Sequence, residues 1–421
     1  MHALVLTEQG TELRAEGDLL VVARAGRAMR KVRVIDIQQV LIMGRCEVTS
    51  GAIALVARRG VDLVWLTQNG RFRARLATRT SANAPLRLAQ YAACANPQTA
   101  LGIARPIVGA KIRHQRELLL RAQRRLKDDA LAQTLSRMRV LADRSATEPT
   151  LDGLRGVEGQ GAALYFGQFG KLLRNDAFSF TVRSRRPPRD PVNACLSFGY
   201  AVLGSLCEQE VCRCGLDPLL GFLHLPHYGR PSLMLDLLEE FRPVVDGIVL
   251  RLINRRQLTP GDFERGPRGA EIEILSDLPK GLGGPGAFTA VDDGDDWFDD
   301  AFDADDGLNT RSEGGLDIPA MDSGTSTEST TESARDSTGT PTEELHGLTE
   351  NTVGPAVWLA QTGRRILLSE LFGRLRETVY YPPRGGAYEW RDVIREQVYH
   401  LARVIEGRDS AYTPFVPHLG T

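Results

Sequence analysis

No stretch of this 421-residue chain runs for about 18 apolar residues without a break, and the first residues, MHALVLTEQGTELRAEG, lack a basic region followed by an apolar core. That excludes a recognisable spanning helix or secretory leader, and a cytoplasmic protein with no membrane partner is expected. Cysteine is scarce: Cys46, Cys94, Cys195, Cys207, Cys212 and Cys214 are scattered, which excludes a disulfide framework. Cys207, Cys212 and Cys214 offer three thiols without a CxxC pair, in a stretch of helical spacing, and read as buried free cysteines. Histidine is also sparse, at seven, so two of them in one short segment stand out. Net charge is nearly absent: 52 Lys and Arg against 53 Asp and Glu, which would exclude a partner held by charge if the charge were evenly spread.

It is not evenly spread. Residues 281–350 carry 18 Asp and Glu against Arg311 and Arg335, a net of -16, which leaves 50 basic and 35 acidic residues, or +15, in the remainder. A basic body with an acidic insert points to nucleic acid or membrane. At roughly 100 to 200 residues per domain the length suggests two or three domains.

The first 80 or so residues read as β. Runs rich in Val, Leu and Ile (Leu4 to Thr7, Leu19 to Ala23, Val32 to Ile35, Val40 to Met43) are punctuated by Gly10, Gly17, Gly26 and Gly44. Thr49 to Arg59 predicts a short helix, capped by Thr49 or Ser50 and ended by Gly60. Val61 to Leu66 and Phe72 to Leu76 predict a hairpin across Gln68-Asn69-Gly70.

From about Pro97 the pattern becomes helical. Ile103 to Arg144 has apolar residues at spacings of three and four, and Lys111 to Lys127 carries seven Lys/Arg against Glu117, which on sequence alone reads as a solvated helix face. Leu151 to Leu173 continues in helical spacing, as does Asp190 to Cys214, where Asp190 suits the cap, Pro191 the first turn and Gly215 the stop. Between them lies Arg183-Ser-Arg185-Arg186-Pro187-Pro188-Arg189, a Pro-stiffened basic loop suited to phosphates. Ser232 to Arg256 predicts a helix that Pro243 should kink or restart. Disorder is expected over 276–350, whose composition buries too little apolar surface to offset ordering entropy. Helices resume near Thr362 to Arg376 and Trp390 to Ile405. The expected fold class is α+β: a β-rich domain over 1–85, a helical domain over 97–270, the acidic insertion over 276–350, and C-terminal helices over 355–407 that complete the helical domain.

Two groups of residues could carry chemistry. His224 and His227 lie in Gly221-Phe-Leu-His-Leu-Pro-His-Tyr-Gly-Arg230, upstream of Asp236, Glu239 and Glu240, which share one helical face. A histidine from the preceding turn could complete a divalent-metal site with these acids; taken alone, His224 reads first as a satisfied core histidine and the acids as a solvated face. Glu158, in Leu154-Arg-Gly-Val-Glu-Gly-Gln-Gly-Ala-Ala-Leu-Tyr165, is followed by small residues that permit close approach of a helix or a nucleic-acid backbone. The alternative is a pairing of Glu158 with Arg155.

Longer blocks are more specific: TEQGTELRAEGDLLVV, GVDLVWLTQNGRF, ARPIVGAKIRHQRELLLR, LRGVEGQGAALYFGQFGKLLRN, RRPPRDPVNACLSFGYAVL, GLDPLLGFLHLPHYGRPSLMLDLLEEFRP and TGRRILLSELFGRLRE. In these the chain resembles the CRISPR-associated adaptation integrase/endonuclease, the larger of the two near-universal spacer-acquisition proteins. The resemblance implies antiviral defence: a metal-dependent enzyme that joins spacer 3′-hydroxyl ends to the CRISPR repeat by transesterification, and that nicks DNA when water attacks. It implies metal ligands Glu158, His224 and Glu239, with Asp236 as a further catalytic carboxylate. A mixed oxygen and nitrogen set suits Mg²⁺ or Mn²⁺. The implied partners are double-stranded DNA, a second copy in a homodimer, and the small second CRISPR adaptation protein. Lys171, Arg174, Arg185, Arg186 and Arg230 are the expected DNA contacts; His227 reads as local.

About 80 residues intervene, beyond the pattern of relatives, between RRQLTPGDFERG and AVWLAQTGRR. They read as a tolerated linker, or, through Asp-Asp-Trp297-Phe298-Asp-Asp-Ala-Phe302, as a DNA mimic or docking segment. The fused iron-sulfur nuclease domain of some relatives is missing, so that partner is expected as a separate protein. A DNA-binding scaffold and a stand-alone structure-specific nuclease remain as alternatives.

Overall fold

The glycine-punctuated runs fold as alternation and β-branching direct. In a computed structural model, which describes residues 3–70, 72–76, 83–184, 187–266 and 355–416, strands β1 (Ala3–Leu6), β2 (Thr11–Glu16), β3 (Leu19–Arg24), β4 (Arg27–Arg33), β5 (Gln39–Met43), β6 (Glu47–Val48), β7 (Asp62–Leu66) and β8 (Phe72–Arg75) build the N-terminal lobe around helix α1 (Ser50–Arg59). One sheet has the order β4-β3-β2-β6 and the other β1-β5-β7-β8. In the second, β1, β5 and β7 run parallel and the predicted hairpin supplies the antiparallel edge β8. Every residue of β5 (QVLIM) is buried, as an apolar run in a parallel sheet requires. Thr49 caps α1, accepting the Ala52 N–H at 3.3 Å.

The chain divides into two units, Met1–Gly307 with Pro355–Thr421, and Leu308–Gly354. The second lies outside the described residues, as does the expectation of disorder over 276–350.

In the first unit the helical part comprises α2 (Ala84–Ala95), α3 (Pro97–Leu126), α4 (Asp129–Ser145), α5 (Leu151–Phe169), α6 (Pro191–Cys214), α7 (Ser232–Asn254), α8 (Gln361–Leu375) and α9 (Trp390–Ile405). Asp190 caps α6 through the Asn193 N–H at 2.8 Å, and Gly215 ends it in the left-handed conformation. Strands β9 (Phe263–Gly266) and β10 (Ala356–Leu359) pair antiparallel with Ala356 opposite Gly266, which brings the two ends of the acidic insertion side by side. A hairpin, β11 (Thr378–Tyr381) and β12 (Gly386–Glu389), precedes α9.

The helix does not restart at Pro243: α7 runs over 23 residues. Proline removes the N–H that would bond to the Glu239 carbonyl and crowds that carbonyl with its ring, and nearly every side chain of α7 is buried. Packing outweighs one lost hydrogen bond. No helix among the described residues is long and apolar enough to cross a membrane.

Candidate active site

Three neighbouring helices each bring one ionisable side chain inward. Lys111 of α3, Glu158 of α5 and Glu239 of α7 are 2%, 3% and 0% exposed. The Lys111 Nζ lies 2.6 Å from Glu239 Oε2 and donates to Glu158 Oε1, so one ammonium holds two carboxylates from different helices. Glu239 has a second cation: Arg242 Nε donates to its Oε1 at 2.8 Å, and that guanidinium sits 4.9 Å over the Tyr200 ring. The reading of Lys111 to Lys127 as a solvated face therefore holds for Arg113, Arg124, Arg125 and Lys127 but fails at Lys111.

Gly161, one of the small residues after Glu158, accommodates a neighbouring helix. A Cβ at Gly161 would stand 2.9 Å from the Ile112 side chain, so glycine is what lets α5 approach α3 closely enough for Glu158 to reach Lys111. The alternative pairing of Glu158 with Arg155 is not formed. Arg155 pairs with Asp152 and donates to the Leu223 carbonyl at 2.9 Å, which ties α5 to the loop carrying His224.

That loop is organised by Asp236, which is fully buried. Its carboxylate accepts the backbone N–H groups of Phe222, Leu223 (3.0 Å) and His224 (3.0 Å), and the His224 Nδ1 lies 2.6 Å from Oδ1. A carboxylate only accepts, so Nδ1 carries a proton, and Nε2 is the ring nitrogen left to face the site. Gly221 is required here, because a Cβ would come within 2.7 Å of Asp236 Oδ2 and of the Ser232 backbone. Asp236, expected as one more carboxylate of the site, is placed behind the imidazole with both oxygens engaged.

Glu240, the third acid of the predicted face, points elsewhere. It accepts from Gln397 Nε2 (3.0 Å), the Phe415 N–H (3.1 Å) and the Tyr412 hydroxyl, and burial pushes its carboxyl up to about 7. Two turns along from Glu158 and Glu239, Tyr165 and Asp246 meet at 2.9 Å with Tyr200 as a second donor, and burial pushes Asp246 up to about 6. Sequence reasoning missed Lys111, Arg242 and this tyrosine-aspartate layer. The seven-residue spacings from Glu158 to Tyr165 and from Glu239 to Asp246 were the available signal.

Glu158 and Glu239 are gathered about one positive charge, and His224 presents a nitrogen fixed by its other ring atom, a donor set whose chemistry fits a hard divalent ion. Among the described residues no three His, Cys, Asp or Glu side chains stand close enough to hold an ion; the charge between the carboxylates is that of Lys111.

The predicted DNA contacts differ in exposure and pairing. Lys171 pairs with Asp128 at 2.6 Å, Arg174 is exposed, and Arg230 is only 9% exposed. Arg185 and Arg186 lie outside the described residues. Arg183 of the same loop folds inward, donating to Asn193 Oδ1 (2.7 Å) and Ser197 Oγ (3.0 Å). His227 interacts locally, its Nδ1 3.4 Å from the Tyr228 carbonyl, and the six cysteines are free thiols.

Residues 4–274 match the family model described as CRISPR associated protein Cas1. The chain is 41% identical over 283 residues to the CRISPR-associated endonuclease Cas1 2 of Rhodospirillum rubrum, spanning 65% of this chain and 81% of the relative. It is 40% identical over 266 residues to Cas1 3 of Thermus thermophilus, 62% and 76%. It also matches, at 37% over 62% of this chain and 48% of the relative, a Cas4 exonuclease/Cas1 endonuclease fusion of Geobacter sulfurreducens. In fold it resembles a casposase bound to integration product, with TM-score 0.68 at 20% identity, covering 100% of this chain and 96% of that one. It likewise resembles a Cas1 protein from Thermotoga maritima, with TM-score 0.66 at 18% identity, covering 97% and 98%. The match over residues 4–274 takes in α3, α5 and α7 and with them Lys111, Glu158, His224 and Glu239, and on it the chain belongs to the CRISPR-associated Cas1 family.

Proposed function

We propose that this chain is a DNA endonuclease and integrase of CRISPR adaptation, joining the 3′-hydroxyl ends of spacer DNA to the repeat by transesterification. The observation that carries the reading is the convergence of two buried carboxylates, Glu158 and Glu239, on one cation, with an imidazole on the adjoining loop oriented by Asp236. Mg²⁺ or Mn²⁺ would be held by Glu158, Glu239 and the His224 Nε2. Such an ion supplies charge to offset what builds on phosphorus and favours the alkoxide of an attacking hydroxyl. The chain's own residues prepare that site. Asp236 fixes the imidazole with its proton on Nδ1, Arg242 holds Glu239 in place, and the buried helices around them exclude water.

The excess of 15 positive charges outside residues 281–350 suits a partner with a phosphate backbone, gripped in a salt-sensitive, mainly sequence-independent way. A solved assembly of similar fold is described as a Cas6-RT-Cas1–Cas2 complex, which supports Cas2 as the small partner protein. The Cas4 fusion among the relatives supports a separate nuclease that prepares the DNA ends. A second copy in a homodimer completes the proposed assembly.

The test incubates the full chain with Mn²⁺, a short duplex and a repeat-bearing plasmid, with and without Cas2. Joined and nicked products are expected from the wild type and neither from Glu158→Gln or His224→Ala, with duplex binding retained in both variants. A Glu158→Gln protein that still joins ends would overturn the assignment.

A further inference from the structure

A cleft of about 550 Å³ opens between the N-terminal lobe and α8, remote in sequence from the carboxylate helices. Its apolar part includes Met29 and Phe372, and Arg30, Arg365, Arg376 and Arg391 also line it, against a single acid, Glu8. Met29 is 55% exposed, so its side chain is open to contact from outside the cleft. Arg391 is only 8% exposed and has the carboxylates of Glu210 and Asp392 near its charge. Arg365 and Arg376 are exposed, and the chemistry that meets an exposed pair of guanidinium groups is a carboxylate.

The same chain carries a segment of that chemistry. Residues 292–306, DDGDDWFDDAFDADD, hold nine aspartates, no basic residue, and Trp297, Phe298 and Phe302. On one side Trp297 lies 31 positions beyond the end of β9 at Gly266, a length that reaches up to about 100 Å when extended. On the other side the chain returns through β10 into α8, the helix that lines the cleft.

We propose that residues 292–306 dock in this cleft, with Trp297 and Phe298 against Met29 and Phe372 and the flanking aspartates on Arg365 and Arg376. The acidic segment is then a ligand of the chain's own body, and its aromatics give the contact a specificity that charge alone lacks. Being tethered, it needs little intrinsic affinity: an effective concentration of about 1 mM against a dissociation constant of about 0.1 mM leaves the cleft filled roughly ten to one.

The experiment is limited digestion of the full-length protein with a protease specific for aspartate, followed by mass spectrometry. Cleavage within 292–306 is expected to be about tenfold slower in the wild type than in Trp297→Ala/Phe298→Ala or in Arg365→Glu/Arg376→Glu. Cleavage at Asp317, Asp322 and Asp336 should proceed equally in all three and serves as the internal reference. Equal rates at 292–306 in all three proteins would overturn the proposal. So would protection that grows with protein concentration, which would place a second copy in the cleft. Both arginines of the charge-reversal variant are exposed, so its folding is preserved.

Discussion

Replacing Lys111 by methionine keeps most of the side chain's volume and removes only its charge. What remains is two carboxylates, 3% and 0% exposed, drawn together from α5 and α7. Glu239 retains Arg242 at 2.8 Å, and both carboxylates lose the ammonium they share. Breaking a buried ion pair by removing one partner costs about 3 to 5 kcal/mol, because the other charge is left without compensation. Over the roughly 320 described residues each kcal/mol corresponds to about 1.5 °C, so the metal-free Lys111→Met protein should melt roughly 6 °C below the wild type. A divalent ion replaces the missing charge. At about 100 times its dissociation constant it returns about 2.7 kcal/mol to the variant, whereas in the wild type it must first displace the ammonium. Differential scanning calorimetry in EDTA and in Mn²⁺ checks both statements. The reasoning is refuted if the variant melts with the wild type in EDTA, or if Mn²⁺ raises the two proteins equally.

Gly221→Ala should reduce nicking and joining about 10- to 100-fold without touching DNA, because the added Cβ meets Asp236 Oδ2 at 2.7 Å and displaces the carboxylate that orients His224; comparison with Asp236→Ala in the same assay checks that both act through the loop. Gly161→Ala should lower stability by about 1 to 3 kcal/mol in urea unfolding, since its Cβ would overlap Ile112 at 2.9 Å and push α5 from α3. For pH, Glu240 at about 7 and Asp246 at about 6 both lie above their unfolded values near 4, so the unfolded chain releases those protons first. Stability should therefore be greatest below about pH 4 for these two groups and fall as pH rises toward 7, and Glu240→Gln should flatten that slope in denaturant titrations between pH 5 and 7.

The parts of this molecule that were legible in the sequence are those whose cause is local. Thr49 and Asp190 announce helix starts because a side-chain oxygen three residues ahead of an orphan N–H is a local arrangement, and Asn69-Gly70 announces a hairpin for the same reason. The acids on α7 were likewise visible as a face. Their division of labour was not. Asp236, Glu239 and Glu240 look alike at spacings of three and one, yet one fixes a loop, one meets Lys111 and Arg242, and one anchors the Tyr412 to Phe415 segment about 170 residues away. Which partner each carboxylate meets is decided by helix packing across large separations, and no local pattern carries that information.

Lys111 shows the same limit in the opposite direction. Seven basic residues in seventeen make a solvated face the natural reading, because a charge leaves water only at several kcal/mol unless something meets it inside. What meets Lys111 are two acids, 47 and 128 residues later, and the helices that carry them close around it only where Gly161 yields space to Ile112. The buried positive charge and the buried acids are each costly alone and tolerable together. A site assembled that way has a demanding consequence: any cation that takes the two carboxylates must also leave Lys111 with a new anionic partner, and a DNA phosphate is the anion that the proposed reaction brings to that place.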